Sequence, residues 1–227
     1  MKIISWNLLH RAGANLGEIE KLIQHEQPDL LLLQETTEEI DLLPGLVGGH
    51  YARAPLPDRR HGLAVWSPEP LHQVPEILTL PRGLLIRRVC QIILLKDFTV
   101  ANVHLSHGQL LNRRQLRRIA DILPRRAAIL GDCNLVGPPL LPGFRDVGPR
   151  QPTHNCGNVI PLRLDRCFVR DLNCEETTIL GRGASDHVPI TVRLSLNADE
   201  EPSSRRDKRK SILARMARRA DAPEIEL

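Results

Sequence analysis

The stretch Lys2-Ile3-Ile4-Ser5-Trp6-Asn7-Leu8-Leu9 opens the sequence with a mostly apolar run, and the segments that follow it indicate the class of fold. Residues 2–9 predict a buried strand. Asn15 is a suitable N-cap for a helix whose apolar side chains recur at helical spacing. Residues 29–34 then predict a second strand. This β-α-β opening predicts an α/β protein.

Similar patterns continue through the chain. Apolar runs at 62–66, 84–95 and 99–104 have little helix between them and predict antiparallel strands. Further elements are predicted as a helix over 110–123, a strand over 127–130, a Pro/Gly-rich loop over 137–152, and strands over 162–169, 176–180 and 188–194. Together these elements predict an α/β fold built as a four-layer α/β sandwich, in which two mixed β-sheets pack face to face with helices outside.

The charge distribution separates a main body from a basic tail. The chain has 227 residues and a formal net charge of +4, but residues 205–219 alone contain eight basic residues and one acid. The rest of the chain has 23 basic and 26 acidic residues, so the total charge does not identify a nucleic-acid-binding body. We expect residues 1–196 to form the folded domain. Residues 197–227 predict a charged, disordered tail, with a basic amphipathic helix over 208–220 as the alternative.

The sequence predicts a cytoplasmic protein with no transmembrane segment. Its apolar runs are too short to cross a bilayer, and polar residues interrupt the N-terminus before a signal-peptide apolar region could form. Five cysteines, an odd number without a Cys-x-x-Cys pair, favour reduced thiols. The oligomeric state is left open.

Polar residues end or interrupt the apolar runs at several places in the chain. Taken singly, each has an ordinary explanation as a turn former, a helix cap or a solvated side chain. Side chains at strand ends can also converge on one edge of a sheet, where sites on α/β folds are usually built. As a set they offer oxygen ligands suited to Mg²⁺ or Mn²⁺ and imidazoles suited to proton transfer. The set comprises Asn7, Glu35, His104, Asp132, Asn134, Asp165, Asp186 and His187.

An ordered series of short motifs from the first predicted strand to the last resembles the endonuclease/exonuclease/phosphatase family, also called the deoxyribonuclease-I-like fold. Each motif alone is weak evidence, but the ordered set is specific. The motifs are Ser5-Trp6-Asn7, Leu33-Gln34-Glu35-Thr36, Gly62-Leu63-Ala64-Val65, Asn102-Val103-His104-Leu105, Gly131-Asp132-Cys133-Asn134, Arg163-Leu164-Asp165-Arg166 and Ser185-Asp186-His187-Val188-Pro189.

The resemblance implies a divalent cofactor, Mg²⁺ or Mn²⁺. Glu35 corresponds to the family's principal metal ligand, with Asn7 beside it, and Asp186 contributes a ligand or an outer contact. A divalent cation lowers the barrier to phosphoester hydrolysis by neutralising the charge that builds on the phosphate and the leaving oxygen.

The resemblance also implies roles for the remaining polar residues. His187 corresponds to the catalytic histidine held by Asp165, while Asp132 and Asn134 correspond to the pair that positions or activates water and contacts the phosphate. His104 corresponds to a histidine that stabilises a phosphate oxygen or assists the leaving group. We expect His187 to be the general base; the alternative is that Asp132 activates the water and His187 binds phosphate.

Two further residues are candidate substrate contacts. Arg113 lies near the start of the helix that follows His104, and His154 lies in the long loop before Asp165. For both, a structural explanation is the alternative: a solvated helix face for the arginine and an ordinary loop histidine.

The family resemblance predicts a metal-dependent phosphoesterase, and we expect a phosphodiesterase or nuclease that hydrolyses nucleic acid with a histidine assisting water attack. His104 favours branches with histidine at this point, because the apurinic-endonuclease branch has a tyrosine there. The alternatives are a phosphatase acting on a phosphorylated small molecule, a sphingomyelinase-like phospholipid hydrolase, and a non-catalytic interaction protein that binds through its tail. The sequence leaves open endonuclease or exonuclease action and the number of metals.

Overall fold

A computed structural model of the chain describes residues 1–10, 13–83, 86–156 and 160–197, with the Cys156 side chain excepted. The predicted tail helix over 208–220 and almost all of the predicted tail lie outside these residues. The helices are α1 Leu16–Glu26, α2 Leu43–Val47 and α3 Gln109–Ile122, with a 3₁₀ turn at Glu38–Leu42. The strands are β1 Lys2–Asn7, β2 Leu30–Thr36, β3 His50–Pro55, β4 Gly62–Ser67, β5 Glu76–Thr79, β6 Val89–Leu94, β7 Thr99–His104, β8 Ala127–Asp132, β9 Arg145–Asp146, β10 His154–Cys156, β11 Ile160–Leu162, β12 Asp165–Arg170, β13 Leu172–Ile179 and β14 Ile190–Leu196.

The strands form two six-stranded mixed sheets and a two-stranded ribbon. The first sheet has the order β13-β14-β1-β2-β4-β3, the second has the order β5-β6-β7-β8-β12-β9, and β10 pairs with β11. β1 and β2 are parallel, as are β7 and β8, and each parallel pair is connected through a helix. The other strand pairs are antiparallel. These are the mixed sheets that the sequence predicted.

Three apolar layers hold the sandwich together. Ile3 and Leu30 pack between the sheets, whereas their neighbours Ile4 and Leu31 face the layer beneath α1. This alternation follows from the two-residue period of a strand, and both faces are apolar because both are covered. Leu116 and other residues of α3 pack against the outer face of the second sheet. The predicted four-layer arrangement is therefore confirmed.

A buried polar network joins the two sheets beneath the site edge. Gln34 Nε2 donates to Asn102 Oδ1 at 2.8 Å and to Ser5 Oγ at 3.0 Å. Asn102 Nδ2 donates to the Ala64 carbonyl at 2.9 Å. Because buried polar groups are costly unless they are paired, this network favours one relative position of the two sheets.

The sequence predicted α1 well because its start is encoded locally. Asn15 accepts a hydrogen bond from the Glu18 amide at 3.1 Å, and the Glu18 carboxylate accepts one from the Asn15 amide at 3.1 Å, which completes a capping box. Ile19 and Ile23 are the buried residues of this helix.

Several strand boundaries differ from the prediction. The strand predicted over 84–95 begins only at Val89: residues 86–88 precede it outside the sheet, and residues 84–85 lie outside the described part of the chain. β3 and β5 were missed; both lie at sheet edges and alternate buried and exposed residues poorly. The loop predicted over 137–152 contains the short edge strand β9. These edge strands depend on pairing with distant segments more than on local pattern.

Candidate active site

Most of the predicted site residues lie along one edge of the sandwich. β1, β2, β7 and β8 end at this edge, and β12 begins there because it runs antiparallel to β8 and pairs Asp165 with Asp132. The segment before β14 reaches the same edge because β14 runs antiparallel to β1. The residues brought together are Asn7, Glu35, His104, Asp132, Asn134, Asp165, Asp186 and His187.

The His187 ring is fixed by a buried carboxylate. Its Nδ1 lies 2.7 Å from Asp165 Oδ2, and the His187 amide donates to Ser185 Oγ at 3.1 Å. Burial lowers the pKa of His187, but the Asp165 and Asp132 carboxylates outweigh burial and raise it to about 10. The ring is therefore an imidazolium at neutral pH.

Asp132 lies at the centre of the edge. Its Oδ2 accepts a hydrogen bond from Asn7 Nδ2 at 2.9 Å, and lies 3.3 Å from His104 Nε2 and 3.8 Å from His187 Nε2. Its Oδ1 accepts from the Asn134 amide at 2.9 Å. Burial raises the pKa of Asp132, and the positive charge of His187 opposes that increase. The carboxylate is thus held between two amides and two imidazoles.

His104 is the neutral member of the edge. Burial and the positive charge of Arg88 hold the pKa of His104 well below its ordinary value. Because His104 is neutral, one of its ring nitrogens is free of a proton at neutral pH, and the ring offers both a donor and an acceptor.

Glu35 occupies a strained position at the end of β2. The pairing with β4 shifts between Gln34 and Thr36, so Glu35 is the extra residue of a bulge, and its φ is +58°. Non-glycine residues rarely adopt this conformation, which costs of order 1–3 kcal/mol and is retained mainly at functional sites. The bulge turns the Glu35 side chain towards His10 and His104.

The Glu35 carboxylate has one paired and one unpaired oxygen. Oε2 accepts a hydrogen bond from the His10 amide at 3.1 Å and contacts His10 Nδ1. Oε1 lies 3.9 Å from His104 Nε2 and accepts no hydrogen bond within the described residues. Burial raises the pKa of Glu35, but the hydrogen bonds from His10 outweigh it and lower that pKa, so Glu35 is ionised.

Asp186 and His154 form a second group with His187. His154 Nε2 lies 3.3 Å from Asp186 Oδ2, and His187 Nε2 lies 4.0 Å from Asp186 Oδ1. Asp186 Oδ1 and His154 Nδ1 are buried and have no hydrogen-bond partner in the described part of the chain. These three residues form the one group of at least three acid, histidine or cysteine ligands found within the described residues, and Glu35 is not part of it.

The Arg113 guanidinium is not brought to the catalytic cluster. It donates to the carbonyls of Gln109, Val136 and Pro138 at 2.6–3.2 Å. Asn134 begins this loop and has a φ of +47°, and its side chain donates to the Leu105 carbonyl at 2.9 Å. Arg113 therefore stabilises the loop that follows Asn134, and these hydrogen bonds do not support the predicted substrate contact.

A model of the Endonuclease/Exonuclease/phosphatase family matches residues 4–187 of the chain. The chain belongs to this family. It is therefore a phosphoester hydrolase, as the sequence predicted, and the resemblance drawn from the motifs is confirmed. No curated protein sequence matches the chain.

Solved structures of the endonuclease/exonuclease/phosphatase family share its fold. A D. rerio TDP2 humanised by 14 mutations is 19% identical, with a TM-score of 0.72 over 86% of this chain and 98% of that chain. D. rerio TDP2 complexed with a single-strand DNA product is 17% identical, with a TM-score of 0.72 and the same coverage. A Bacteroides thetaiotaomicron mannosyl-6-phosphatase is 16% identical, with a TM-score of 0.67 over 86% of this chain and 100% of that chain.

The residues at the site fit the divalent metal on which the endonuclease/exonuclease/phosphatase family typically depends. The buried Asp186 Oδ1 atom and Glu35 Oε1 accept no hydrogen bond within the described residues, whereas the protonated His187 ring has no lone pair for a metal. Carboxylate oxygens are ligands that suit Mg²⁺ and Mn²⁺. No helix within the described residues is long and apolar enough to span a membrane.

Sequence reasoning missed two residues of this family member's site edge. His10 contacts Glu35, and its ring stacks on His61 with 4.1 Å between centroids. Arg88 was placed inside a predicted strand, but it is 2% exposed and lies just before β6. The sequence feature that could have identified Arg88 is the charged pair Arg87-Arg88, which interrupts a mostly apolar run.

Proposed function

We propose that this chain is a divalent-metal-dependent phosphodiesterase that hydrolyses nucleic-acid phosphodiester bonds. The observation that carries the proposal is the His187 ring, which Asp165 clamps on one side and which faces Asp132 at 3.8 Å on the other. A fixed imidazole facing a buried carboxylate can bind a phosphate oxygen and hold a water molecule at the same place.

Asp132 is the acceptor for the proton of the attacking water in this proposal. His187 is already protonated near neutral pH, since its pKa is raised to about 10, so its Nε2–H donates to a phosphate oxygen. Asn7 donates to Asp132 Oδ2 and the Asn134 amide donates to Oδ1, which orients the carboxylate. We therefore favour the mechanism in which Asp132 activates the water and His187 binds phosphate over the one in which His187 is the general base.

Mg²⁺ or Mn²⁺ is proposed to bind at the same edge. Glu35 Oε1 and Asp186 Oδ1 accept no hydrogen bond from the described residues, and Asn7 at the end of β1 pairs with Gln34, next to Glu35. When bound, the cation supplies positive charge that stabilises the charge developing on the phosphoryl group. His10 keeps Glu35 ionised and therefore ready to bind it.

The cavities favour a polar substrate over a phospholipid. A cavity of about 150 Å³ beside Glu35 is lined by residues that include Asn15 and Glu39. The apolar cavity that includes Leu71, Leu95 and Phe98 lies at the β6–β7 turn, on the opposite edge of the sandwich. A lipid hydrolase would require an apolar groove beside the site instead.

A phosphatase acting on a phosphorylated small molecule is the second candidate. The fold similarity to a mannosyl-6-phosphatase supports it, because the same architecture there is associated with a phosphorylated sugar. The Arg59, Arg82 and Arg87 cavity at the site edge favours a substrate with additional phosphates, and thus the phosphodiesterase.

The test is hydrolysis by purified protein with Mg²⁺, with Mn²⁺ and with EDTA. Substrates are single- and double-stranded DNA, RNA, a 5′-tyrosyl DNA adduct, mannose 6-phosphate and sphingomyelin. His187→Ala is the inactive variant, and His25→Ala on the exposed surface of α1 is the matched control. We expect metal-dependent cleavage of nucleic acid that only His187→Ala abolishes. Cleavage of phosphomonoesters alone would establish the phosphatase instead.

A further inference from the structure

Arg88 is a buried cation whose guanidinium has no hydrogen-bond partner among the described residues. It is 2% exposed, and its Nε and Nη1 atoms have no hydrogen-bond partner in the described part of the chain. A buried guanidinium is costly unless it is paired and hydrogen-bonded. Asp132 and Glu35 are the carboxylates whose charges act on it, and they lie at the site edge. An anion bound there would supply the missing acceptors.

The position of Arg88 in the fold places it at the end of the catalytic edge. Its carbonyl accepts from the Leu80 amide at 3.0 Å, immediately before β6 begins. β6 runs antiparallel to β7, so the start of β6 lies beside the end of β7, where His104 stands. β8 follows on the other side of β7 and ends at Asp132. Arg88, His104 and Asp132 therefore occupy neighbouring positions along one edge of the second sheet.

Three more arginines line a cavity formed by the loops that open on this edge. The cavity measures about 200 Å³, and Arg59, Arg82 and Arg87 line it together with Asp58. All three arginines are exposed. Arg87 has only a 4.0 Å ion pair with Asp58, in which both side chains are largely exposed, and such pairs contribute little. The cavity is thus positively charged, and Asp58 neutralises little of the charge of the three arginines.

The two loops face each other across the end of the sandwich. Residues 56–61 connect β3 to β4, and Gly62 at the start of β4 pairs with Thr36, next to Glu35. Residues 80–83 and 86–88 lie between β5 and β6 in the other sheet. The cavity therefore borders the catalytic edge. Arg87 lines the cavity, and the next residue, Arg88, is buried close enough to Asp132 and Glu35 for their charges to act on it.

We propose that these four arginines form a phosphate track for a single nucleic-acid strand. Arg88 binds the scissile phosphate, and Arg59, Arg82 and Arg87 bind the neighbouring phosphate of the same strand. Guanidinium groups suit this role because their planar fork matches phosphate oxygens. The track rests on the proposed phosphodiesterase function and adds the requirement for a second phosphate on the substrate. It is independent of base identity, because it reads only the backbone.

Binding without turnover tests the track directly. Fluorescein-labelled hexathymidylate is titrated in EDTA, with anisotropy measured over a range of salt concentrations. Each phosphate no longer neutralised lowers the magnitude of the salt slope by about 0.7 for a single strand, so Arg59→Gln/Arg82→Gln, which removes most of the charge that holds one phosphate, should lower it by about 0.7 and weaken binding. Arg114→Gln/Arg117→Gln removes equal charge from the exposed face of α3 and should leave the slope at the wild-type value. Equal slopes for the wild type and the Arg59/Arg82 variant would overturn the track.

Arg88 needs a variant that separates binding from folding. Replacing a buried, unpaired charge by an apolar side chain should maintain or raise the melting temperature, so Arg88→Met should fold while binding hexathymidylate more weakly. With metal, its kcat/KM should fall about 10²-fold. A lower melting temperature with unchanged binding would show that Arg88 is structural.

Measurements of turnover test the phosphate track separately from the phosphodiesterase activity. With Mn²⁺, Arg59→Gln/Arg82→Gln should lower kcat/KM for hexathymidylate at least tenfold more than for bis(p-nitrophenyl) phosphate, which has one phosphate. If the wild type cleaves neither substrate, the phosphodiesterase proposal fails while the salt slopes still decide the track. If it cleaves both and the two substrates respond equally to the double variant, the track fails alone.

Discussion

His187 Nδ1 lies 2.7 Å from Asp165 Oδ2, and both side chains are buried where β12 begins beside β8. Ser185 Oγ also accepts from the His187 amide at 3.1 Å, which holds the backbone that carries the ring. Asp165 has two effects: it fixes which ring nitrogen faces Asp132, and its negative charge favours the imidazolium.

Asp165→Asn should therefore damage catalysis without removing the ring. The amide keeps the size of the side chain but removes the charge that raises the pKa of His187. We expect the His187 pKa to fall and kcat to drop by about 10²–10⁴-fold, the range for loss of an orienting carboxylate or an acid–base group. The His187 pKa is measured from NMR titration of its ring protons, and kcat from steady-state hydrolysis. Asp171→Asn, a surface carboxylate paired with Arg125, is the control; an unchanged pKa in Asp165→Asn would contradict the assignment.

The metal-free protein should lose stability as pH rises towards and beyond 10. The folded-state pKa of His187 is raised to about 10, whereas an unfolded histidine titrates near 6.5. Its stabilising contribution is thus fully present below about pH 6.5 and is lost as pH rises through the folded pKa. Urea unfolding in EDTA at pH 6.5, 8.5 and 10.5 measures this loss. His187→Gln should show a shallower decline over the same range, and parallel curves for the two proteins would argue against a raised pKa.

Strand ends were the part of the site that could be predicted from sequence. Asn7, Glu35 and Asp132 each follow an apolar run, and strands that are parallel bring such ends to one edge. The family motifs added the roles. Local sequence patterns could not predict the register between strands. Asp165 pairs with Asp132 because β12 lies antiparallel to β8, which is a long-range contact.

The residues that were missed lie outside the apolar periodicity. His10 reaches Glu35 from the segment after β1, and Arg88 stands in a loop that sequence reasoning assigned to a strand. Their importance comes from burial and from neighbours distant in the chain, which a single sequence does not display. Arg113 has a charge and a sequence position that suit a substrate contact, and in the structure its guanidinium donates to the backbone carbonyls of Val136 and Pro138.

His10→Ala should weaken metal binding although His10 is not among the predicted ligands. Its amide and ring contact Glu35 Oε2 and, against burial, lower the pKa of Glu35. Loss of a side chain that orients a ligand typically costs 10–100-fold in metal affinity. Mn²⁺ titration followed by electron paramagnetic resonance measures the affinity directly. His25→Ala is the exposed control, and an unchanged Mn²⁺ affinity in His10→Ala would separate Glu35 from the metal site.

Arg113→Ala should affect the loop that begins at Asn134 more than phosphate binding. The guanidinium donates to carbonyls at 136 and 138, so its removal leaves this loop less constrained. We expect faster amide hydrogen exchange over residues 134–140 and a lower kcat, with the salt slope for hexathymidylate at its wild-type value. A slope lowered by about 0.7 would instead support a direct phosphate contact.

Gly131→Ala should show how closely the site depends on the packing of β8 against β7. Gly131 has a φ of +139°, and a Cβ placed there would lie 2.1 Å from the Val103 carbonyl oxygen. The alanine must therefore displace the backbone just before Asp132, at a cost in unfolding free energy of at least about 1–3 kcal/mol for the backbone conformation alone. Because Asp132 is the next residue, activity should fall even where the protein remains folded. Gly45→Ala in α2 is the control, since its Cβ would meet no atom within 4 Å and alanine favours a helix. Circular dichroism in urea and steady-state hydrolysis measure the two effects, and a Gly131→Ala protein with wild-type stability would show that β7 can move away from the added methyl group.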